Sequence, residues 1–487
     1  PLKINFTAQV GFQQPTKMPK FLNSYDYANL YNEAYGYVNG GAQYYGTEAL
    51  DAYKNGTDKY LYPDVDWYDE TLRKTAEMYK VGLNFQGGND VVKYFVLLNY
   101  LGNSGLMKRT EDLSDKTSNQ RYNRYNVRSN MDVNISKNLS AHITLGIAIE
   151  DKITPGGTDA GKNTDDLFNR IQSLPPNSFP VRNPNNSWGG SSNWSNPLAN
   201  IAERGYWRQN SRNINSALKL TEKLDMLLPG LSISGAISFN SYYLGYSNRY
   251  ANYEYYALTG KDAEGKYQYS EPFGKKESLT IDDSLSDQWR NTTLQGSLNY
   301  NGSFDVHDID ALLMYSYENE SYGKQQPFVH VGMGARFTYT YAKKYIGEFS
   351  MGLQATETFA KGHRAGFFPA GSVGWIISEE DFLKKNDVVK FLKLRASYGL
   401  TGNDKLNGDT RFMYDQEYGE KDGYNIGTSN SYLYGLRQLR LANPDITWEK
   451  DKKFNVGVEA NLWGKLNLTF DYFHNRRTDI LCLPSRT

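Results

Sequence analysis

The sequence predicts an all-β protein: an antiparallel, up-and-down β-barrel that crosses a membrane with strands, incomplete at fifteen of them. Three observations lead there. Fifteen segments alternate apolar and polar residues with the period of two that a strand requires. The connections between them alternate between short and long, as turns at one end of a barrel and loops at the other do. The 487 residues include 40 Tyr and 44 Gly but only 16 Pro, and their charge balances at 54 basic against 54 acidic.

Taken in order, Leu2–Phe12 alternates first and is followed by the long connection Gln13–Glu77. Met78–Gln86 and Val91–Leu101 are joined by the short "GGND" (Gly87–Asp90), and Gly102–Arg121 is long again. Tyr122–Ile135 and Leu139–Glu150 flank the short "SKN" (Ser136–Asn138), and Asp151–Gly205 is the next long excursion. Tyr206–Leu224 and Leu231–Gly245 are joined by "DMLLPG" (Asp225–Gly230), and Tyr246–Gln288 is long. Trp289–Gly302 turns tightly into Asp308–Glu320, and Val331–Tyr341 turns through "AKK" (Ala342–Lys344) into Tyr345–Thr356. Phe367–Ile377 and Lys390–Thr401 are joined by Ser378–Val389, and Gly402–Lys452 is the last long connection. Lys453–Leu462, "WGK" (Trp463–Lys465) and Leu466–Arg476 close the series. A sandwich or propeller has no reason to sort its connections this way.

The alternation itself has two readings. In Leu466–Tyr472, Leu466, Leu468, Phe470 and Tyr472 share one face while Asn467, Thr469 and Asp471 share the other. In Tyr122–Ile135, Tyr125, Val127, Met131, Val133 and Ile135 oppose Asn126, Arg128, Asn130, Asp132 and Asn134. A soluble strand would turn the apolar face to a core. A membrane barrel turns it to lipid and lets the polar face line a wet interior, with Trp463, Tyr472 and Phe473 near the interfaces. Five consecutive hydrophilic positions on one face favour the second reading.

Composition excludes several classes. Runs such as "YFVLL" (Tyr94–Leu98) are far too short for a spanning helix, which needs roughly 18 apolar residues. Balanced charge gives no electrostatic pull toward nucleic acid. The lone Cys482 cannot make a disulfide framework. No signal peptide or initiator Met opens "PLKINF", so a mature product or a fragment is expected.

Catalytic, cofactor and metal sites are not expected. "GGTDAGKN" (Gly156–Asn163) nearly matches a phosphate-binding loop, with Lys162 in place, but Asn163 replaces the Ser or Thr that holds Mg²⁺. The preceding strand also alternates, where a buried parallel strand would be continuously apolar. His142, His307, His330, His363 and His474 are scattered without ligand spacing. Asp282–Asp283 and Glu379–Asp381 read as solvated turns.

The most suggestive stretch is "NNSWGGSSNWSNPLANIAERGYWRQN" (Asn185–Asn210), in a long loop. Trp188, Trp194, Tyr206 and Trp207 offer flat apolar faces among Asn and Ser, which suits stacking on sugar rings or peptide side chains. The alternative is that these aromatics pack the loop against itself or the barrel rim.

Several blocks resemble one family. "FLNSYDYANLYNEA" (Phe21–Ala34), "YPDVDWYDETLRKTA" (Tyr62–Ala76) and "GGNDVVKYFVLLNYLGNSGL" (Gly87–Leu106) are similar to the early barrel of SusC/RagA-type TonB-dependent transporters. "FPAGSVGWIISEEDFLK" (Phe368–Lys384), "LKLRASYGLTGND" (Leu392–Asp404) and "NPDITWEKDKKFNVGVEANLW" (Asn443–Trp463) resemble its later segments. The resemblance implies a 22-stranded barrel in the outer membrane of a Bacteroidetes-type bacterium. It implies uptake of oligosaccharide or oligopeptide, a SusD-type surface lipoprotein as lid, and energy relayed by TonB–ExbB–ExbD. Against that pattern, residues 1–487 are expected to be an incomplete barrel domain lacking the plug, the N-terminal extension and about seven strands. A non-transporting surface β-protein, such as an adhesin or glycan-binding module, is the other class.

Overall fold

The computed structural model describes residues 2–108, 119–155, 163–405, 412 and 414–480. Fifteen strands form one antiparallel sheet in which each pairs with its neighbour in sequence. They are β1 (Lys3–Gln13), β2 (Ala76–Gly88), β3 (Val92–Asn103), β4 (Arg121–Asn134), β5 (Leu139–Pro155), β6 (Gly205–Lys223) and β7 (Leu231–Tyr250). The small hairpin β8 (Leu258–Lys261) and β9 (Tyr267–Tyr269) intervenes, and β10 (Thr280–Phe304), β11 (His307–Tyr322), β12 (Phe328–Tyr341), β13 (Tyr345–Thr356), β14 (Ala365–Ile376) and β15 (Val389–Asn403) follow. A second hairpin, β16 (Glu417–Ile426) and β17 (Ser431–Arg440), precedes β18 (Glu449–Leu462) and β19 (Leu466–Thr478). All fifteen expected strands are present. The reading stopped too early at the loop end of the seventh and too late at the start of the eighth, because Thr280↔Tyr250 pairing carries β7 and β10 well past Gly245 and Trp289.

Register shows what each face of the sheet is. Leu98 pairs with Leu83 and Val127, Leu218 with Ile143 and Ile237, and Leu294 with Ile237. The same layer continues through Phe337↔Phe349, Leu353↔Phe367, Trp375↔Leu394, Leu394↔Val458 and Val458↔Phe470. This face is apolar from one edge of the sheet to the other, yet no described residue packs over it; Phe470 is 70% exposed and Phe6 67%. Such a surface is stable against lipid rather than water. Across the opposite face, directly paired side chains hydrogen-bond: Asn5 Nδ2 to Asn84, Thr338 Oγ1 to Glu348 and Asn461 Nδ2 to Asn467. Arg395 donates there to Glu459, Asn455 and Asp471, joining three strands.

Tight reversals occupy one end. Trp463 and Gly464 both have positive φ, the left-handed pair that matches a hairpin turn to strand twist. Long connections occupy the other end and hold the buried core. α1 (Ser24–Val38), α2 (Thr47–Asn55) and α3 (Trp67–Thr71) follow β1, while α4 (Asn163–Ser173) and α5 (Pro197–Glu203) follow β5. Asn23 caps α1 by accepting from the Asp26 amide, and Asp66 caps α3 by accepting from Tyr68 and Asp69. Trp67 and Leu72, Met107, and Leu167, Ile171, Leu174, Phe179 and Ile201 come from three connections and bury one another. Lys261 in β8 reaches Asp58 at 2.6 Å and Tyr267 in β9 donates to the same carboxylate, fastening a fourth connection to the first. Among the described residues no helix is long and apolar enough to cross a membrane.

Candidate functional site

The strands bring aromatic rings to the polar face at the loop end. Asn213 and Asn215 of β6 pair with Tyr242 and Asn240 of β7, so every second residue from there faces the interior. Trp207, Tyr242 and Tyr246 fall on that side, and Trp289 of β10 pairs with Tyr242. Trp207 and Tyr246 lie 6.2 Å apart between ring centres, Tyr242 and Trp289 6.4 Å. Polar groups fill the wall beside them: Ser211 donates to Glu150, which Arg124 approaches at 3.5 Å, and Asn291 donates to Glu318. Trp207 pairs with Thr154 on one side and Asn248 on the other. The Trp207 Nε1, Thr154 Oγ1 and Asn248 Oδ1 atoms are buried and have no hydrogen-bond partner among the described residues. Three orphaned polar atoms in a row are uncommon and are satisfied readily by hydroxyl or amide groups.

The loop after β15 is pinned to the wall. His330 meets Asp404 at 2.8 Å. Burial raises the Asp404 pKa, but the His330 hydrogen bond and charge outweigh it, and the carboxyl sits below its ordinary value. Phe359, Ile446 and Trp448 form a small core there, with Trp448 Nε1 donating to the Arg364 carbonyl.

The four aromatics singled out in the sequence do not converge. Trp188 is 6% exposed, packed with Leu198, Ala199, Ala202 and Tyr253, and the Arg182 guanidinium lies 3.2 Å from its ring centre. Trp194 is half-buried against the Trp67 cluster. Tyr206 and Trp207 are not loop residues but adjacent positions of β6, so their side chains leave opposite faces of the sheet. Trp207 alone lies on the interior wall. Tyr242, Tyr246 and Trp289 were missed although a signal existed, since Tyr242 and Tyr246 occupy the same parity as Asn240. The phosphate-loop look-alike, Gly156–Lys162, lies outside the described residues, as does Cys482. Among the described residues no three His, Cys, Asp or Glu side chains are grouped to hold a metal ion.

No family model matches the chain. It is 25% identical over 462 residues to TonB-dependent receptor P3 of Formosa agariphila, covering 86% of this chain and 41% of that protein. It is 30% identical over 147 residues to TonB-dependent receptor SusC of Bacteroides thetaiotaomicron, covering 30% of this chain and 14% of SusC. The fold matches that of the RagAB peptide importer, with a TM-score of 0.67 at 17% identity over 99% of this chain and 55% of that one. The chain spans about half the length of the curated relatives it matches over most of its own length. Sheet, loop sorting and relatives agree: the chain has the fold of, and is similar in sequence to, TonB-dependent receptors of the SusC/RagA kind, β-barrel proteins of the outer membrane.

Proposed function

We propose that the chain forms the wall and loop cap of a SusC-type nutrient importer. It takes up oligosaccharides beneath a SusD-like lipoprotein lid, with energy relayed through TonB–ExbB–ExbD. Residues 1–487 are assigned to the barrel domain, and closure of the sheet, the plug and the TonB contact fall to sequence outside them. The observation that carries the cargo reading is the interior patch of Trp207, Tyr246, Tyr242 and Trp289 beside amide, hydroxyl and carboxylate groups. Ring faces suit the apolar faces of sugars, and the polar neighbours suit hydroxyls. Trp188 and Trp194 contribute by packing the loop, and Tyr206, on the outward face, does not touch the cargo.

Calorimetric titration of a whole receptor carrying this chain, with its lipoprotein, tests the reading. Trp207→Ala with Trp289→Ala lowers affinity for an oligosaccharide by about 1–2 kcal/mol per ring, roughly tenfold each. Affinity for an oligopeptide and none for glycans would replace it with the peptide importer. Binding of either without uptake would replace it with a surface binding protein.

A further inference from the structure

The outward face carries a groove of about 540 Å³ near the turn end. Its floor and walls are Tyr339, Gly347, Val373, Ala396 and Val456, a single row of paired positions across β12 to β18. Two small residues sit in that row between larger ones, and a Cβ added at Gly347 would meet nothing within 4 Å. The turn end is closed by Tyr345 and Trp375, stacked 6.4 Å apart and 11° from parallel. Their Oη and Nε1 both donate to Glu380, which also pairs with Lys344 at 2.9 Å. This polar knot marks the level where the membrane meets water. Lys343, next to it in the β12–β13 turn, is exposed and carries no ion pair among the described residues.

We propose that this groove holds one acyl chain of a phospholipid from the turn-side leaflet, with the lipid phosphate at Lys343. The outward face has a second gap where Gly235 of β7 pairs with Gly296 of β10 and an added Cβ would also meet nothing within 4 Å, but the Gly347 slot adjoins a stacked ring pair, a polar knot and an exposed lysine. Here the missing side chains at Gly347 and Ala396 leave a slot that a methylene chain fills, gaining close packing on both walls. The Tyr345–Trp375 pair fixes the depth, and Lys343 supplies the charge that an anionic headgroup matches.

The test uses a whole receptor carrying this chain in vesicles doped with phosphatidylglycerol bearing a photoactivatable diazirine on its acyl chain. Crosslinks mapped by mass spectrometry concentrate on Val373 and Ala396 over Leu83 and Leu98, which share the outward face in a row filled by Phe6 and Val127. Gly347→Phe fills the slot and returns labelling to the level at Leu98, and Ala396→Phe does the same if the first variant folds poorly. Lys343→Ala lowers labelling about fivefold, the change that about 1 kcal/mol per basic residue near the surface gives. Even labelling around the sheet, or labelling unchanged by either Phe variant, would overturn the site. Labelling unchanged by Lys343→Ala would overturn the headgroup contact.

Discussion

Replacing Ile237 by Arg should destabilise the folded sheet far more than replacing its neighbour Ser238. Ile237 lies on the apolar face between Leu218 and Leu294, and Ser238 on the polar face between Ala217 and Thr293. Ile237 is six residues from Leu231, where β7 leaves its turn. At about 3.4 Å per residue and a tilt of about 45°, that is roughly 14 Å from the turn, close to the middle of an apolar band about 25 Å tall. An arginine at that depth on the lipid face costs about 2–4 kcal/mol. The folding equilibrium then shifts by roughly 30- to 700-fold. At position 238 the same charge enters a wet interior already carrying Arg124, Arg395 and their carboxylate partners, and it costs little. Denaturant titration in lipid vesicles of a whole receptor carrying this chain gives both numbers. Equal costs, or a larger one at Ser238, would refute the assignment of faces.

The other expectations concern sidedness, charge and close approach. An epitope tag at Ser136–Asn138 stays hidden on intact cells while one within Gly402–Lys452 is labelled; the reverse would invert the barrel. Burial raises the Asp58 pKa, but Lys261 and the amides of Leu61 and Tyr60 more than offset it and hold the carboxyl below 3.8. Its fastening of the loops is therefore complete above about pH 3.8 and fades as pH falls through the lower folded value. Asp58→Asn should expose the β8–β9 hairpin to protease at neutral pH, and unchanged cleavage would remove the fastening role. The Phe368 ring lies over Gly402, where an added Cβ would come within 2.0 Å of it. Gly402→Val should thus loosen the Trp448 core and shift its fluorescence, whereas Gly352→Val, in open space, should not.

The strands were legible because lipid on one side and water on the other impose a two-residue period, which β4 and β19 follow almost without exception. Beyond the membrane that constraint lapses, and there the reading missed the loop ends of β7 and β10: Tyr242, Leu244 and Tyr246 place apolar side chains near the rim and blur the alternation. The helices of the first loop carried a signal that was not used. Tyr27, Tyr31 and Tyr35 recur every four residues and stack at 6.0 and 6.4 Å along α1. Trp188 and Trp194 drew attention through tryptophan density, which marks loop packing as readily as binding. Their partners, Arg182 and Tyr253 for one and the Trp67 cluster for the other, lie up to 127 residues away in sequence, and only the fold brings them together. Which aromatics face the interior depends on strand parity near the rim, and the open end of a long loop conceals it.

The central claim is that the uncovered apolar face meets lipid while the opposite face meets water. Spin labels placed singly at each position from Asn467 to Phe473 of β19, in a whole receptor carrying this chain and reconstituted in a bilayer, test it most directly. Collision rates with oxygen should peak at Leu468, Phe470 and Tyr472, and rates with a water-soluble nickel complex at Asn467, Thr469 and Asp471. A profile in which the even positions are reached by nickel and not by oxygen, or in which no alternation appears, would contradict it.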